Sequence, residues 1–284
     1  MILTEYMHDL SVIMATYNEN PEFLRNCVDS ILYQTFRNFE FIIVVEPEEK
    51  NLSFIGAIAD NDDRVKVFRN ETKLGVAASR NRAIRESSGE YIAIIDSDDY
   101  CDRHRFEKQV KFLNDNPDIS VVGSDLYLVD EKNNVIGERI YPELHQNIRK
   151  AFLFSMAIAN PSVMLRKDAL DAVGLFNDAL FKAEDFDLWL RFLAGRKKMH
   201  NLQDKLVYYR TQRNSNSRRG EVHYRNYYAA LKKHGRFIWP FKQRAFSLFL
   251  FFLVARIPNF FLDYLINLEI VNRIKNIKVN NSQL

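Results

Sequence analysis

Short apolar runs alternate with amphipathic stretches through the first 209 residues of this 284-residue chain. In the amphipathic stretches the apolar residues recur at helical spacing, whereas Phe39–Val45 is apolar nearly throughout, as a strand buried on both faces should be. This alternation is typical of a mainly parallel sheet covered by helices. We therefore predict a single open α/β sheet, Rossmann-like, with helices on both faces.

The predicted elements follow one another in a regular order. Asn20 and Pro21 mark the start of the first helix, because Asn is a favoured cap and proline suits the first helical position. The predicted strands span residues 10–15, 39–45, 64–69, 91–95, 162–166 and 199–209, with a hairpin made of 120–129 and 134–141. The predicted helices span residues 20–32, 75–86, 103–114, 143–154, 167–173 and 184–194.

The composition changes after this region. From Arg210 to the end there are 14 Lys and Arg against 3 Asp and Glu, whereas the first 209 residues carry 26 against 34. Residues 245–255 are almost entirely apolar, but they are too few to span a bilayer, which needs about 20. We predict a domain at 1–215 and a helical, basic tail at 216–284 that lies in the plane of an anionic membrane surface.

An alternative for the tail is a helical hairpin that packs on the first domain or on a second subunit, since an apolar surface of this size indicates some partner. We expect no nucleic-acid partner. Cys27 and Cys101 have neither metal-site nor disulfide spacing, and Cys27 lies on the apolar side of the first predicted helix. Residues 1–5 do not resemble a signal peptide. These features favour a reducing, cytoplasmic location.

The strongest chemical signal is the acidic cluster Asp96, Ser97, Asp98 and Asp99, directly after the strand at 91–95. Mg²⁺ and Mn²⁺ at phosphate sites are held by one or two carboxylates together with the phosphate oxygens of the substrate. Open α/β sheets bind their ligands beyond the carboxyl ends of the strands. The alternative is a solvated acidic turn that caps the next helix.

Two other strand ends carry groups that suit a nucleotide. The loop after the first strand contains Ala15, Thr16, Tyr17 and Glu19, which offer short polar groups and a ring on which a base can stack. Glu46 follows the second strand, and its carboxylate can accept the imide N–H of uracil or thymine, although guanine also presents a suitable donor edge.

The helix predicted at 75–86 begins with small residues, Gly75 and Ser79 among them, that let a ligand approach. Arg80 can bring positive charge toward phosphates. The chain has no glycine-rich phosphate loop of either common kind, which disfavours kinases and dinucleotide-dependent enzymes.

Four segments, in this order and spacing, resemble the large family of inverting glycosyltransferases with the A-type nucleotide-sugar fold (glycosyltransferase family two). They are Val-Ile-Met-Ala-Thr-Tyr-Asn at 12–18, the segment 75–82, Ile-Asp-Ser-Asp-Asp at 95–99, and Glu-Asp-Phe-Asp-Leu-Trp at 184–189. The resemblance extends over about residues 10–215. It implies an aspartate-x-aspartate metal motif and a nucleotide diphosphate sugar as donor.

The resemblance also implies roles for single residues. Asp98 corresponds to the metal ligand, Asp96 and Ser97 face the ribose and phosphates, and the first loop and Arg80 hold the nucleotide. Asp185 corresponds to the catalytic base, a group that direct displacement at an anomeric carbon needs in order to take the proton of the acceptor hydroxyl. Carboxylates also favour the first turn of a helix, which is the alternative explanation of Glu184 and Asp185. Asn160 and Glu184 are placed on the acceptor side.

Two positions depart from the family pattern. Glu46 stands where the family usually has Asp, which leaves the base preference open. Gln212 stands where many members have His, and we assign it no metal role because an amide is a poor metal ligand.

The resulting hypothesis is a Mn²⁺- or Mg²⁺-dependent enzyme that moves a sugar from a nucleotide diphosphate, preferably uridine diphosphate, to an acceptor hydroxyl with inversion. The expected acceptor is a glycan or a lipid-linked glycan, as in the assembly of bacterial surface polysaccharide at the inner face of the plasma membrane. The alternatives are a non-catalytic nucleotide-sugar-binding module and a nucleotidylyltransferase. The latter usually has a glycine-rich, basic loop after the first strand, and residues 15–19 have neither character.

Overall fold

The computed structural model describes residues 8–180, 182–211 and 221–257, and the backbone of 277–279. Its strands form one sheet in the order β10-β7-β6-β8-β4-β1-β2-β3, in which β9 pairs with β6, and β5 pairs with β9. The strands are β1 (His8–Thr16), β2 (Phe39–Val45), β3 (Val65–Arg69), β4 (Gly89–Ile94), β5 (Tyr100–Cys101), β6 (Ile119–Val129), β7 (Val135–Arg139), β8 (Met164–Arg166), β9 (Lys198–Arg210) and β10 (Ile277–Val279).

Helices cover both faces of this sheet. They are α1 (Pro21–Leu32), α2 (Leu52–Ala59), α3 (Val76–Glu86), α4 (Arg105–Asp115), α5 (His145–Ala151), α6 (Lys167–Val173), α7 (Glu184–Ala194), α8 (Glu221–His234) and α9 (Phe241–Val254), with short 3-10 turns at Asn160–Ser162 and Gly235–Phe237. The predicted fold class, an open α/β sheet with helices on both faces, is confirmed.

The parallel half of the sheet explains the apolar runs in the sequence. β1 lies parallel to β2 and β4, and β2 lies parallel to β3. Alternate residues of β2 point to opposite faces, with Ile42 packed in the core on one side and Ile43 in the core on the other. Every residue of β2 is therefore buried, as a strand covered on both faces requires.

The other half of the sheet is mixed. β8 pairs antiparallel with both β4 and β6, and β6 forms the predicted hairpin with β7. β10 adds antiparallel to β7, so the tail contains a strand, although the sequence predicted only helix there. Sequence analysis also missed α2 and β5. α2 is short and buries only Ile55, so it has little apolar periodicity to detect.

The beginning of the predicted tail packs on the rest of the molecule. The ring of Tyr227 in α8 stacks on Phe186 of α7 with centroids 3.8 Å apart, and Phe251 of α9 meets Phe186 edge-on. Trp239 donates from Nε1 to the carbonyl of Arg149 at 3.1 Å. These contacts agree with the alternative of a helical hairpin packed on the first domain. Residues 212–220 and 258–276, with the predicted boundary at 215 and Gln212, lie outside the described residues.

Among the described residues, no helix is long and apolar enough to cross a membrane. Cys27 and Cys101 are both buried free thiols. Cys27 lies on the apolar side of α1, as the sequence predicts.

Candidate active site

The predicted site residues lie where parallel strands end. Because β1, β2 and β4 are parallel neighbours, their carboxyl ends meet at one edge of the sheet. The first predicted loop follows β1, Glu46 follows β2, and the acidic turn at 96–99 follows β4. Asn160 joins the same edge, because β8 runs antiparallel to β4 and the Ile94 N–H donates to the carbonyl of Val163 at 3.0 Å.

The first loop leaves the end of β1. Thr16 is 4% exposed, and no hydrogen bond from the described residues reaches its Oγ1. A buried hydroxyl without a partner is costly and suits a site whose ligand supplies the partner. Tyr17 is exposed by 39%, and the Lys73 ammonium lies 4.0 Å from its ring centroid.

The rest of this loop is fastened to the segment after β2. Asn18 has a φ of 54°, a left-handed conformation that Asn tolerates better than most residues. Its Oδ1 accepts from the Lys50 N–H at 2.8 Å, and its own N–H donates to Glu49 Oε2 at 2.7 Å. The Glu19 carbonyl accepts from Asn51 Nδ2. The loop is therefore shaped before any ligand arrives.

The Glu46 carboxylate accepts hydrogen bonds from the segment that leads into α3. It accepts from the backbone N–H groups of Leu74 and Gly75 and from the Ser79 hydroxyl, at 2.8 to 2.9 Å. Burial raises the pKa of Glu46, but these hydrogen bonds outweigh it and the net shift is downward. Gly75 has a φ of +85°, which an L side chain rarely adopts. Glu46 thus holds the turn into α3, and recognition of a base by its carboxylate stays a prediction.

The acidic turn after β4 divides into buried and accessible carboxylates. Asp99 is fully buried, and its Oδ1 accepts from the Arg210 N–H at 2.7 Å. Asp96 and Asp98 are partly exposed, and Ser97 between them is buried. Asp99 therefore stabilises the turn, while Asp96 and Asp98 are the carboxylates that a ligand can reach.

Arg210 at the end of β9 holds this turn in place through hydrogen bonds. It is fully buried, and it donates from Nε to the carbonyl of Asp98 at 2.9 Å. Its other nitrogens donate to the Asp130 carbonyl and to Asn133 Oδ1, and its guanidinium carbon lies 3.8 Å from the ring centroid of Phe23. Sequence reasoning gave Arg210 no role. The one available signal was its position beside Gln212 in a segment that resembles the family.

Arg80 joins the acidic turn to α7. Its Nη2 lies 2.5 Å from Asp96 Oδ1, and its Nη1 lies 3.0 Å from Glu184 Oε1. The Arg80 side chain is only 7% exposed, so both ion pairs are poorly screened by solvent. The guanidinium that was predicted to approach phosphates is thus shared between two carboxylates.

Asp185 follows directly at the start of α7. Burial, and then the charge of Glu184, raise its pKa to about 7, against the lowering effects of the Phe186 N–H and Arg80. The Phe186 N–H donates to Asp185 Oδ1 at 2.7 Å. A carboxyl group with such a pKa exchanges a proton near neutral pH, which is what a general base requires.

The backbone before Asp185 is in an unusual conformation. Lys182 and Ala183 have φ values of 68° and 66°, a region that non-glycine residues enter at a cost. The carbonyl of Lys182 accepts from Asn226 Nδ2 in α8 at 3.0 Å. α8 therefore helps to hold the turn that presents Glu184 and Asp185.

A second set of contacts fixes α7 itself. Asp187 lies between two partners, with Oδ2 at 2.9 Å from Arg191 Nε and Oδ1 at 3.0 Å from Nε2 of His234. His234 is the last residue of α8. The third acidic residue of this helix start is therefore structural, which leaves Glu184 and Asp185 at the site.

Asn160 lies in the 3-10 turn before β8. It is 7% exposed, and no hydrogen bond from the described residues reaches its Oδ1. Asn160 and Thr16 thus each present a buried polar atom to which no described residue forms a hydrogen bond. Both are residues that the sequence placed at the site.

Known proteins share this sequence pattern. The model of the family described as "Glycosyl transferase family 2" matches residues 11–174. An uncharacterized glycosyltransferase, MJ1057, of Methanocaldococcus jannaschii is 33% identical over 92% of this chain and 93% of its own length. The O-antigen biosynthesis glycosyltransferase WbnJ of Escherichia coli is 31% identical, over 76% of this chain and 84% of that protein.

The fold has a solved relative as well. The crystal structure of S. aureus TarS 1-349 in complex with UDP-GlcNAc matches with a TM-score of 0.68 and 20% identity, over 86% of this chain and 71% of that chain. At this identity the match concerns the fold. The family match covers more than half of the chain. The chain belongs to glycosyl transferase family 2.

Proposed function

We propose that this protein is a metal-dependent, inverting glycosyltransferase that moves a sugar from uridine diphosphate to an acceptor hydroxyl. The observation that carries the proposal is the double ion pair of Arg80, which ties Asp96 of the acidic turn to Glu184 beside Asp185. That link brings the carboxylates suited to the leaving diphosphate and the carboxylate suited to the acceptor into one site. A single displacement requires both.

The donor half of the site is the edge formed by the first loop and the acidic turn. Thr16 Oγ1 is buried and lacks a partner among the described residues, and the ring of Tyr17 is available for stacking on a base. Gly75 and Ser79 line the start of α3, where Glu46 holds the backbone in place. The related TarS structure was solved in complex with UDP-GlcNAc, which supports a uridine nucleotide for this fold.

Asp98 is the residue that would hold Mn²⁺ or Mg²⁺, with Asp96 beside it. Within the part of the chain that the structure describes, no three His, Cys, Asp or Glu side chains are grouped to hold a metal by themselves. A site with one or two carboxylates, completed by diphosphate oxygens and water, is the kind that these cations occupy in phosphate chemistry. When bound, the cation neutralises charge on the leaving diphosphate.

Asp185 is the residue that would take the proton. Its carboxylate accepts the proton of the acceptor hydroxyl as the oxygen bonds to the anomeric carbon, and the bond to the diphosphate oxygen breaks on the opposite side. The nucleotide diphosphate leaves with the bonding electrons. One such displacement inverts the anomeric configuration. Burial, and then the charge of Glu184, raise the pKa of Asp185, which makes its carboxylate a stronger base.

The acceptor half is assigned to Asn160 and Glu184. We propose a glycan or lipid-linked glycan as acceptor, used by a cytoplasmic enzyme at the inner face of the plasma membrane. The names of two relatives support a polysaccharide pathway. WbnJ is named for O-antigen biosynthesis, and AmsE of Erwinia amylovora, 28% identical over 74% of this chain and 79% of its length, is named for amylovoran biosynthesis.

A screen of nucleotide sugars tests the proposal. In the presence of Mn²⁺ or Mg²⁺ we expect release of free nucleotide diphosphate from one donor in preference to the others. Once an acceptor is found, NMR of the product should show an anomeric configuration opposite to that of the donor. Retention of configuration would exclude the single displacement.

Nucleotide preference gives a separate prediction. With Mn²⁺ present, uridine diphosphate should raise the melting temperature more than guanosine diphosphate at the same concentration, because the nucleotide that binds more tightly stabilises the folded state more. Thermal shift with both nucleotides is the measurement, and adenosine diphosphate serves as the control. A larger shift with guanosine diphosphate would overturn the preference for uridine.

The raised pKa of Asp185 predicts the pH dependence of the reaction. The base must be ionised, so kcat/KM should rise about tenfold per pH unit at low pH and level off above about pH 7. Melting temperatures over the same range serve as the control for folding. A profile that is flat from pH 5 to pH 8 would remove Asp185 from the role of base.

A further inference from the structure

α9 leaves a row of large apolar side chains uncovered. We call this surface the phenylalanine face. Its members are exposed by 40% to 72%. They are Phe241, Phe246, Phe249, Phe252 and Leu253. Scattered single apolar side chains are ordinary on protein surfaces, whereas a contiguous set on one helix indicates a binding surface.

The opposite side of α9 packs on the protein. Ser247, Phe251 and Ala255 recur every fourth residue and are buried, and the Ser247 hydroxyl donates to the carbonyl of Leu153 at 2.5 Å. Phe246 and Phe249 fall on the outward side, three residues apart. α9 is therefore fixed on the protein with one apolar side inward and the other toward solvent.

Charge marks the edge of the phenylalanine face. Lys242 lies directly after Phe241, the first exposed residue of α9, and Arg256 follows the last one. Both positions share the outward side at helical spacing. The Arg256 guanidinium carbon lies 3.4 Å from the Phe252 ring centroid, so its charge stands over the apolar surface. Residues 235–257 contain four Lys and Arg and no Asp or Glu. Exposed aromatic rings bordered by bases, without acids, complement an anionic lipid surface.

We propose that the phenylalanine face docks α9 on an anionic lipid bilayer and thereby holds the acceptor side of the site at the membrane. Phe251, on the inner side of α9, contacts Phe186, the residue after Asp185, with ring centroids 6.2 Å apart. The contact between the rings of Phe251 and Phe186 thus connects α9 directly to the start of α7. The second part of the proposal rests on the proposed function, whereas the docking itself does not.

Vesicle sedimentation tests the docking with the full chain. The protein should pellet with vesicles of phosphatidylcholine that contain phosphatidylglycerol, and less so with phosphatidylcholine alone. The double variant Phe241→Ser/Phe249→Ser should bind at least about tenfold more weakly, because two rings no longer enter the interface. The matched control is Tyr33→Ser/Val135→Ser, which removes exposed apolar groups beside α1 and from β7 and should bind as the wild type does.

A second pair of variants tests the charge. Lys242→Gln/Arg256→Gln should weaken binding to the anionic vesicles and reduce its salt dependence, whereas Lys111→Gln/Arg85→Gln, on exposed positions of α4 and α3, should not. Added salt should weaken binding of the wild type.

Donor hydrolysis, measured without vesicles, separates this proposal from the proposed function. All four double variants should hydrolyse the donor at the rate of the wild type, since none alters the site. Vesicle binding without any donor hydrolysis by the wild type would support docking and contradict the proposed function. Unchanged vesicle binding by Phe241→Ser/Phe249→Ser would overturn the docking. The docking would also be overturned if the wild type did not bind vesicles but formed a dimer, and if Phe241→Ser/Phe249→Ser dissociated that dimer. The phenylalanine face would then be an interface with a second copy of the chain.

Discussion

Asp185→Asn should lower the turnover number by at least about 10², the lower end of what a general base contributes. The amide keeps the size of the side chain and can still accept from the Phe186 N–H, but it cannot take a proton. Donor affinity should stay near that of the wild type, because the base acts on the acceptor. Steady-state kinetics and calorimetry with uridine diphosphate are the measurements.

The stability of this variant gives a second readout. The pKa of Asp185 is raised in the folded protein, so its ionised form costs stability, and this cost grows as the pH rises from the unfolded value through about 7. Asp185→Asn should therefore melt at the same or a higher temperature than the wild type at pH 8, with a smaller difference at pH 5. Asp168→Asn, in the first turn of α6, is the matched control for both readouts. Collapse of donor affinity would instead make Asp185 a binding residue.

Asp98→Ala should abolish turnover and weaken binding of uridine diphosphate in Mn²⁺ or Mg²⁺. The fold should persist, because the turn is held by the bond from the Arg210 N–H to the buried Asp99 and by the bond from the Arg210 side chain to the Asp98 backbone carbonyl. Excess chelator should lower the nucleotide affinity of the wild type to that of the variant and leave the variant unchanged, which would show that side chain and cation act together.

Asp115→Ala, an exposed carboxylate at the end of α4, is the control and should keep both activity and the response to chelator. Full activity of the wild type in excess chelator would refute metal dependence. Loss of the folded state in Asp98→Ala would show up as a lowered melting temperature. In that case Asp98→Asn, which keeps the shape of the side chain, is used in place of Asp98→Ala. It should also weaken binding of uridine diphosphate in Mn²⁺ or Mg²⁺.

Apolar patterning was enough to predict most helices and strands between residues 8 and 211. α6 and α7 begin and end where the periodicity predicted, and β2 matches residue for residue. The acidic turn after β4 was also visible, since three carboxylates directly behind a buried strand stand out in any sequence. These features are local, so neighbouring residues in the chain carry the whole signal.

Pairings between distant residues were not predictable in this way. Arg80 and Glu184 are 104 positions apart and form a bond of 3.0 Å, and Arg210 braces Asp98 over 112 positions. Glu46 looked like a group aimed at a ligand, but its oxygens accept from Leu74 and Gly75. Which donor a carboxylate meets depends on the loops that the sheet places beside it, and that information is absent from spacing along the chain.

The sequence by itself determined the fold class, the strand ends that carry the candidate site, and the family, because burial on both faces and short motifs leave direct traces in residue order. The tertiary structure alone decided how Arg80 is shared, how Arg210 supports the acidic turn, and which side of α9 meets solvent. Residues 245–255 are apolar on almost every side of the helix, so their sequence pattern does not predict which side is buried and which is exposed. Packing of Phe251 against Phe186 buries one side and leaves Phe249 exposed, since a helix laid on a core can bury only the side that faces it.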